Sequence, residues 1–254
     1  MTSSASDPGA APGRTDQLGP SGVRTADLPT VVLVHGMGST FEHNWRQSGW
    51  VDLLESEGRA VIGVELPGHG SQPPLAGPGD SAADRILDAV GEGPVDAVGF
   101  SAGAAALYEA IVRRPASFRR VALLGLSDAL VERRGTGIPE LADELEADPR
   151  DAVSPMARLL AGMARTTGND VAAVADYVRR MPPIPDFSRA AAATVPVLVC
   201  LGDREPGRVD RLVAALPHAR LLTLRNTDHF ATTSSFQCQS AVLDFVSAVR
   251  DDAC

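Results

Sequence analysis

The chain has 254 residues, 44% of them hydrophobic and 22% charged, with a formal net charge of −9. That suits one large α/β domain or two small ones with a substantial core, and the charge argues against nucleic acid or an anionic membrane as the main partner. All 23 basic residues are arginine, which excludes a Schiff-base lysine, a Ser–Lys dyad and a Walker A lysine, and fits GC-rich coding in a bacterial source.

Residues 1–28 are rich in Ser, Ala, Pro, Gly and Asp and hold no apolar segment of the kind a secretory signal needs. They read as a flexible tail, and a cytoplasmic protein is expected. Residues 30–34, Thr-Val-Val-Leu-Val, are an apolar run that fits a strand buried on both faces of a parallel sheet. The run ends in His35-Gly36-Met37-Gly38. A polar and aromatic stretch with Glu42, His43, Trp45 and Trp50 follows, and a helix is predicted over 45–57, stopped by Gly58. Residues 60–66 are a second strand, entering the breaker-rich loop Pro67-Gly68-His69-Gly70-Ser71. Ile86, Leu87 and Val90 share one face of a helix over 80–90. A strand over 95–100, a helix over 102–113 closed by Pro115, and a strand over 120–126 come next. The alternation predicts a parallel sheet with helices on both faces.

From 128 to about 190 no strand is evident. Ser154-Pro155 reads as an N-cap and a first-turn proline, with Met156, Leu159, Leu160 and Met163 on one face. Asp170 can cap a second helix carrying Val171, Val174, Tyr177 and Val178. The segment reads as a helical insertion lying over the sheet; the plainer alternative is a set of ordinary core helices. Strands over 195–201 and 220–224, a helix over 209–216 and a last helix over 235–250 complete the chain. Cys200 falls in a strand, Cys254 is terminal, and with Cys238 they match neither a disulfide framework nor a zinc pattern. The five histidines lack ligand spacing, so neither metal nor cofactor is expected. No stretch is long and apolar enough to span a bilayer.

The chemistry centres on Gly99-Phe100-Ser101-Ala102-Gly103, where a strand turns sharply into a helix with a serine at the bend. That is the nucleophile-elbow arrangement, which lifts the hydroxyl clear of the sheet edge. The glycines have a steric reason, because a Cβ at either position meets tightly bent backbone. A serine hydroxyl needs a base within reach and a third group to orient it. Loops after parallel strands all open at one edge of the sheet. His229, between the last strand and the last helix, is the best base. The acid lies in the loop after the 195–201 strand, at Glu205 or Asp203, with Asp128 a further alternative; such an anion holds the imidazole tautomer and stabilises the imidazolium. The developing oxyanion needs N–H donors, each worth roughly 3 kcal/mol. Ala102, at the helix start, and Met37, flanked by Gly36 and Gly38, are the candidates.

Five motifs in order carry a family resemblance: Val-Leu-Val-His-Gly at 32–36, Glu-Leu-Pro-Gly-His-Gly-Ser at 65–71, the elbow at 99–103, Val-Pro-Val-Leu-Val with Gly-Asp-Arg-Glu-Pro at 195–206, and Asp-His-Phe at 228–230. They resemble the α/β-hydrolase superfamily over residues 29–254, in its serine-nucleophile branch. The resemblance implies a core of residues 29–127 and 191–254 and a helical cap over 128–190. In the family, the loop after the seventh strand usually reads Gly-x-x-Asp, its last residue being the acid. Here that position is Glu205, which favours it over Asp203. A serine at the elbow argues against the dehalogenase and epoxide-hydrolase branches.

The apolar faces of the insertion, Met156 and Leu160 among them, suggest a pocket for an apolar acyl or alcohol group. His35 and Trp45 are further candidates for its lining, although the aromatic stretch around Trp45 can equally pack locally. The expected activity is a serine hydrolase acting on an ester, lactone or thioester of a small apolar molecule. The alternatives are a secondary-metabolite tailoring enzyme performing acyl transfer, cyclisation or elimination, and a binding protein that has lost turnover. Nothing in the sequence specifies an oligomeric state.

Overall fold

The computed structural model describes residues 28–248 except 92, 133–137, 149, 152 and 153. Of the tail predicted over 1–28 all but residue 28 lies outside the described residues, as do the last two residues of the predicted final helix and Cys254.

All six predicted strands form: β1 Val31–Val34, β2 Val61–Val64, β3 Val95–Phe100, β4 Phe118–Leu124, β5 Val197–Gly202 and β6 Ala219–Leu224. They make one sheet in the order β2-β1-β3-β4-β5-β6, every neighbouring pair parallel. The chain goes from β1 to one side, then crosses back over β1 to lay down β3. The loops after β1 and β3 therefore leave the sheet where the winding direction reverses, which is where open α/β sheets form their crevice. Those loops carry Met37 and Ser101.

The inner strands bury both faces, while the edge strands β2 and β6 are partly exposed. Val32 and Val34 join a core with α2 (Ala82–Val90) and α3 (Ala102–Arg113), while Val31 and Leu33 face a second core with α1 (Trp50–Ser56) and α9 (Phe236–Ser247). Cys200 and Cys238 are buried in the second core. Trp45 and Trp50 are also there, stacked edge to face at 5.4 Å. The helix predicted over 45–57 is divided. A π-helical turn, Glu42–Arg46, precedes α1, and Gly49 at φ 83° separates the two. The second strand ends at Val64 rather than residue 66, because the Leu66 amide and the Glu65 carboxylate turn towards His35, at 3.0 and 2.6 Å from its Nε2.

Between β4 and β5 lie α4 (Asp128–Glu132), α5 (Pro139–Glu146), α6 (Pro155–Thr166) and α7 (Val171–Arg180). α5, α6 and α7 share an apolar cluster of their own, with the Met37 side chain packed against it. Ser154 caps α6 through Ala157 N, and Asp170 caps α7 through Ala172 N. α8 (Asp210–Ala215) follows β5. Among the described residues no helix is long and apolar enough to cross a membrane.

Candidate active site

Ser101 sits at the bend between β3 and α3 with φ 52° and ψ −114°. A non-glycine residue held there stores about 1–3 kcal/mol of strain. The bend survives because its surroundings fix it. Ser101 N donates to Leu124 O at 2.8 Å, and α3 packs directly onto β1. A Cβ on Gly103 would stand 2.4 Å from the carbonyl oxygens of Val34 and His35, so only glycine lets the helix start that close.

His229 comes in from the loop after β6. Its Nε2 lies 2.9 Å from Ser101 Oγ, and its Nδ1 lies 2.7 Å from Glu205 Oε2. The ring rests against Phe100, with centroids 4.9 Å apart, and over Gly125, where a Cβ would come within 2.9 Å of His229 Cε1. Glu205 Oε1 accepts from Gly202 N at 3.0 Å and Thr232 Oγ1 at 3.2 Å. Burial by itself would raise the Glu205 carboxyl. The hydrogen bonds from His229 and the Gly202 amide, with the pull of the imidazole and Thr232, hold it below its ordinary value. An ionised carboxylate only accepts, so the His229 proton sits on Nδ1 and Nε2 is free to accept from the serine.

The two rival acids are engaged elsewhere. Asp203 Oδ1 accepts from Thr227 N at 3.2 Å. Asp128 caps α8 from outside, accepting from Leu212 N at 2.9 Å and Arg211 N at 3.1 Å.

Ala102 is the first residue of α3, where an N–H has no partner within the helix. Met37 lies in a loop whose peptides are held one by one. Gly36 N donates to Asn44 Oδ1 at 2.9 Å, and Gly36 O accepts from His35 Nδ1 at 2.8 Å and Ser39 N at 3.2 Å. Across a trans peptide the C=O and N–H point opposite ways, so the Met37 N–H is turned away from His35. Gly38 N donates to His69 Nε2 at 2.9 Å, and His69 Nδ1 donates to Pro67 O at 3.0 Å. Burial, aided by His35, pushes the His69 pKa down to about 3, which agrees with a neutral ring that accepts at Nε2.

Ser101, His229, Met37 and Ala102 open into a cavity of about 770 Å³. Leu160, Met163, Val178 and Ile184 give it an apolar wall, and Met156 lies at its rim, 51% exposed. Two expected lining residues are absent from it. His35 is fully buried beneath the loop, where it binds Gly36 O, and Trp45 is fully buried against Trp50 in the core under the sheet. Of Glu42, His43, Trp45 and Trp50, only His43 reaches the cavity; Glu42 pairs with Arg46 at 3.3 Å. Sequence reasoning missed Asn44, which holds the Gly36 amide and lines the cavity. Its polar neighbours Glu42, His43, Arg46 and Gln47 are exposed, so nothing in the sequence set it apart from them.

Comparison with known proteins agrees with this architecture. A segment of 97 residues, 38% of this chain and 36% of the relative's length, is 38% identical to the pimeloyl-[acyl-carrier protein] methyl ester esterase of Methylococcus capsulatus. The fold is similar to the enol-lactonase of Burkholderia xenovorans LB400, at a TM-score of 0.65 and 20% identity over 87% of this chain and 92% of that one. It is also similar to MGS-M2, an alpha/beta hydrolase enzyme from a Medee basin deep-sea metagenome, at a TM-score of 0.67 and 14% identity over 89% and 92%. The profile of the Alpha/beta hydrolase family matches residues 31–237. The chain therefore belongs to the α/β-hydrolase family.

Proposed function

We propose that the chain is a serine hydrolase that cleaves an ester, lactone or thioester of a small apolar molecule through an acyl-enzyme. The observation that carries this reading is the unbroken relay from Glu205 through His229 to Ser101 Oγ, at 2.7 and 2.9 Å. His229 Nε2 takes the serine proton as Oγ attacks the carbonyl carbon. The oxyanion formed is held by the amides of Met37 and Ala102, the second at the positive end of α3. Collapse expels the alcohol or thiol, which receives its proton from His229 and leaves an acyl-Ser101 ester. Water then attacks that ester with His229 again as base, releasing the acid and restoring the serine. Glu205 stays ionised throughout and balances the imidazolium.

The apolar wall of Leu160, Met163, Val178 and Ile184 favours a hydrocarbon-rich acyl or alcohol group. The names of the relatives, a methyl ester esterase and an enol-lactonase, belong to the same bond classes. A fluorophosphonate probe with Ser101→Ala as control tests the nucleophile, and p-nitrophenyl esters of increasing chain length test turnover. Labelling of the parent alone, with kcat/KM rising from acetate to hexanoate, is the expected result. Absence of labelling refutes the reading. Labelling without hydrolysis points to transfer, cyclisation or elimination on the same nucleophile.

A further inference from the structure

The turn between α6 and α7 reaches down onto the loop that carries Met37. α6 ends in a Schellman arrangement, Gly168 N donating to Arg165 O at 3.3 Å and Asn169 N to Ala164 O at 2.8 Å, with Gly168 at φ 77°. This fixes the backbone of Asn169 one residue before the Asp170 cap of α7. The Asn169 side chain is buried, 8% exposed. Its Nδ2 donates to Gly38 O at 3.1 Å and Ser39 O at 2.9 Å, and its Oδ1 accepts from Gly70 N at 2.7 Å. The orientation of the amide is unambiguous, because carbonyls only accept and a backbone N–H only donates. Thr167 Oγ1 stands 2.9 Å from Gly38 O and 3.0 Å from Met163 O and can donate to either. The contact leaves no slack: a Cβ on Gly38 would lie 3.2 Å from Leu160 O, and one on Gly68 would lie 2.7 Å from Ala173 O.

These bonds lead to the Met37 amide in two steps. Asn169 holds the Ser39 carbonyl, and Ser39 N in turn donates to Gly36 O, the carbonyl of the Gly36–Met37 peptide. Asn169 also holds Gly38 O, while His69 holds Gly38 N from the opposite side. We infer that Asn169 is a positioning residue, which makes the aim of the Met37 N–H depend on the docking of the α6–α7 turn. The inference rests on the proposed oxyanion role of Met37. Without Asn169 the loop keeps its anchors to His35, Asn44, His69 and Thr167 but loses its bond on Ser39 O and one of the two on Gly38 O, and the Gly36–Met37 peptide can rotate out of donor geometry.

The test is Asn169→Asp, which keeps the size and the acceptor for Gly70 N but sets a carboxylate oxygen against two carbonyls. Rates of p-nitrophenyl butyrate hydrolysis are referred to active sites titrated with fluorophosphonate, so unfolded protein is not read as slow enzyme. The expected result is a kcat lower by about 10- to 100-fold with KM within about threefold. Affinity for a trifluoromethyl ketone, whose serine adduct carries the oxyanion, falls by the same factor as kcat/KM; a residue that only supports the fold does not produce that match. If Asn169→Asp does not fold, Thr167→Val against Thr167→Ser decides, the first lowering kcat about threefold or more and the second restoring it. A parent that hydrolyses, with these variants keeping kcat and ketone affinity within about twofold, overturns the inference alone. A parent that neither hydrolyses nor is labelled overturns the proposed function and this inference with it.

Discussion

Glu205→Gln replaces one oxygen by an amino group at nearly constant volume, and the structure determines which way the new amide turns. Gly202 N and Thr232 Oγ1 approach one carboxylate oxygen at 3.0 and 3.2 Å, and His229 Nδ1 approaches the other at 2.7 Å. The Gly202 amide can only donate, so the glutamine oxygen is drawn to it. The amino group then faces Nδ1, which must become an acceptor, and the imidazole proton moves to Nε2. His229 then presents an N–H to Ser101 and cannot take its proton. A wrong tautomer of this kind lowers kcat by roughly 10⁴, about 5 kcal/mol at about 1.4 kcal/mol per decade. The reverse flip sets two N–H groups against each other at about 1–3 kcal/mol; even that escape leaves roughly a tenth of the protein competent, still without the charge that balances the imidazolium. Initial rates of p-nitrophenyl butyrate hydrolysis near neutral pH, per folded protein, measure the loss. Asp203→Asn is the control, expected within about twofold of the parent because Asp203 serves Thr227 N. A Glu205→Gln enzyme keeping more than about a tenth of parental kcat would refute the relay as drawn here.

Gly103→Ala places a Cβ 2.4 Å from the backbone oxygens of Val34, the last residue of β1, and of His35. It should lower stability by about 3 kcal/mol, read as a shift in the urea midpoint. Asp96→Ala strips the partner from Arg59, whose side chain is 2% exposed, and from Arg119. Leaving that charge buried should cost about 3–5 kcal/mol by the same assay, without a change in the pH profile of kcat. His69 supplies a pH signature. Its folded pKa of about 3 lies below the ordinary 6.5, so between those values the unfolded chain binds the extra proton. Stability from this group is complete above pH 6.5 and falls by about 1.4 kcal/mol per pH unit towards pH 3. Denaturant titrations in acid should show the parent losing more than His69→Gln; equal slopes for the two would exclude a neutral buried His69.

The elbow was readable because its causes are local. Gly99, Ser101 and Gly103 lie within five residues, and the close approach that demands glycine is a property of one turn. The inner strands β1, β3, β4 and β5 were readable because continuous apolar runs mark strands buried on both faces, while the edge strands β2 and β6, partly exposed, were readable from their place in the strand–helix alternation. Their ends were less so, and β2 stops early because Glu65 and Leu66 turn to His35, thirty residues upstream. Trp45 shows the same limit: an aromatic residue in a polar stretch is equally compatible with a pocket wall and a core, and only the packing of α1 and α9 beneath the sheet placed it in the core.

Side-chain period, turn chemistry and breaker residues settled the order of strands and helices and the position of the serine bend, because each acts over a few neighbouring residues. Packing alone brought Glu205 rather than Asp203 or Asp128 to His229, sank His35 below its loop against the Leu66 amide and set Asn169 on Gly38 and Ser39. Those contacts join residues 24 to 131 positions apart, and a separation that long leaves no periodic trace in the chain. It is decided when the sheet and the α6–α7 turn close on each other and every buried donor must find its acceptor.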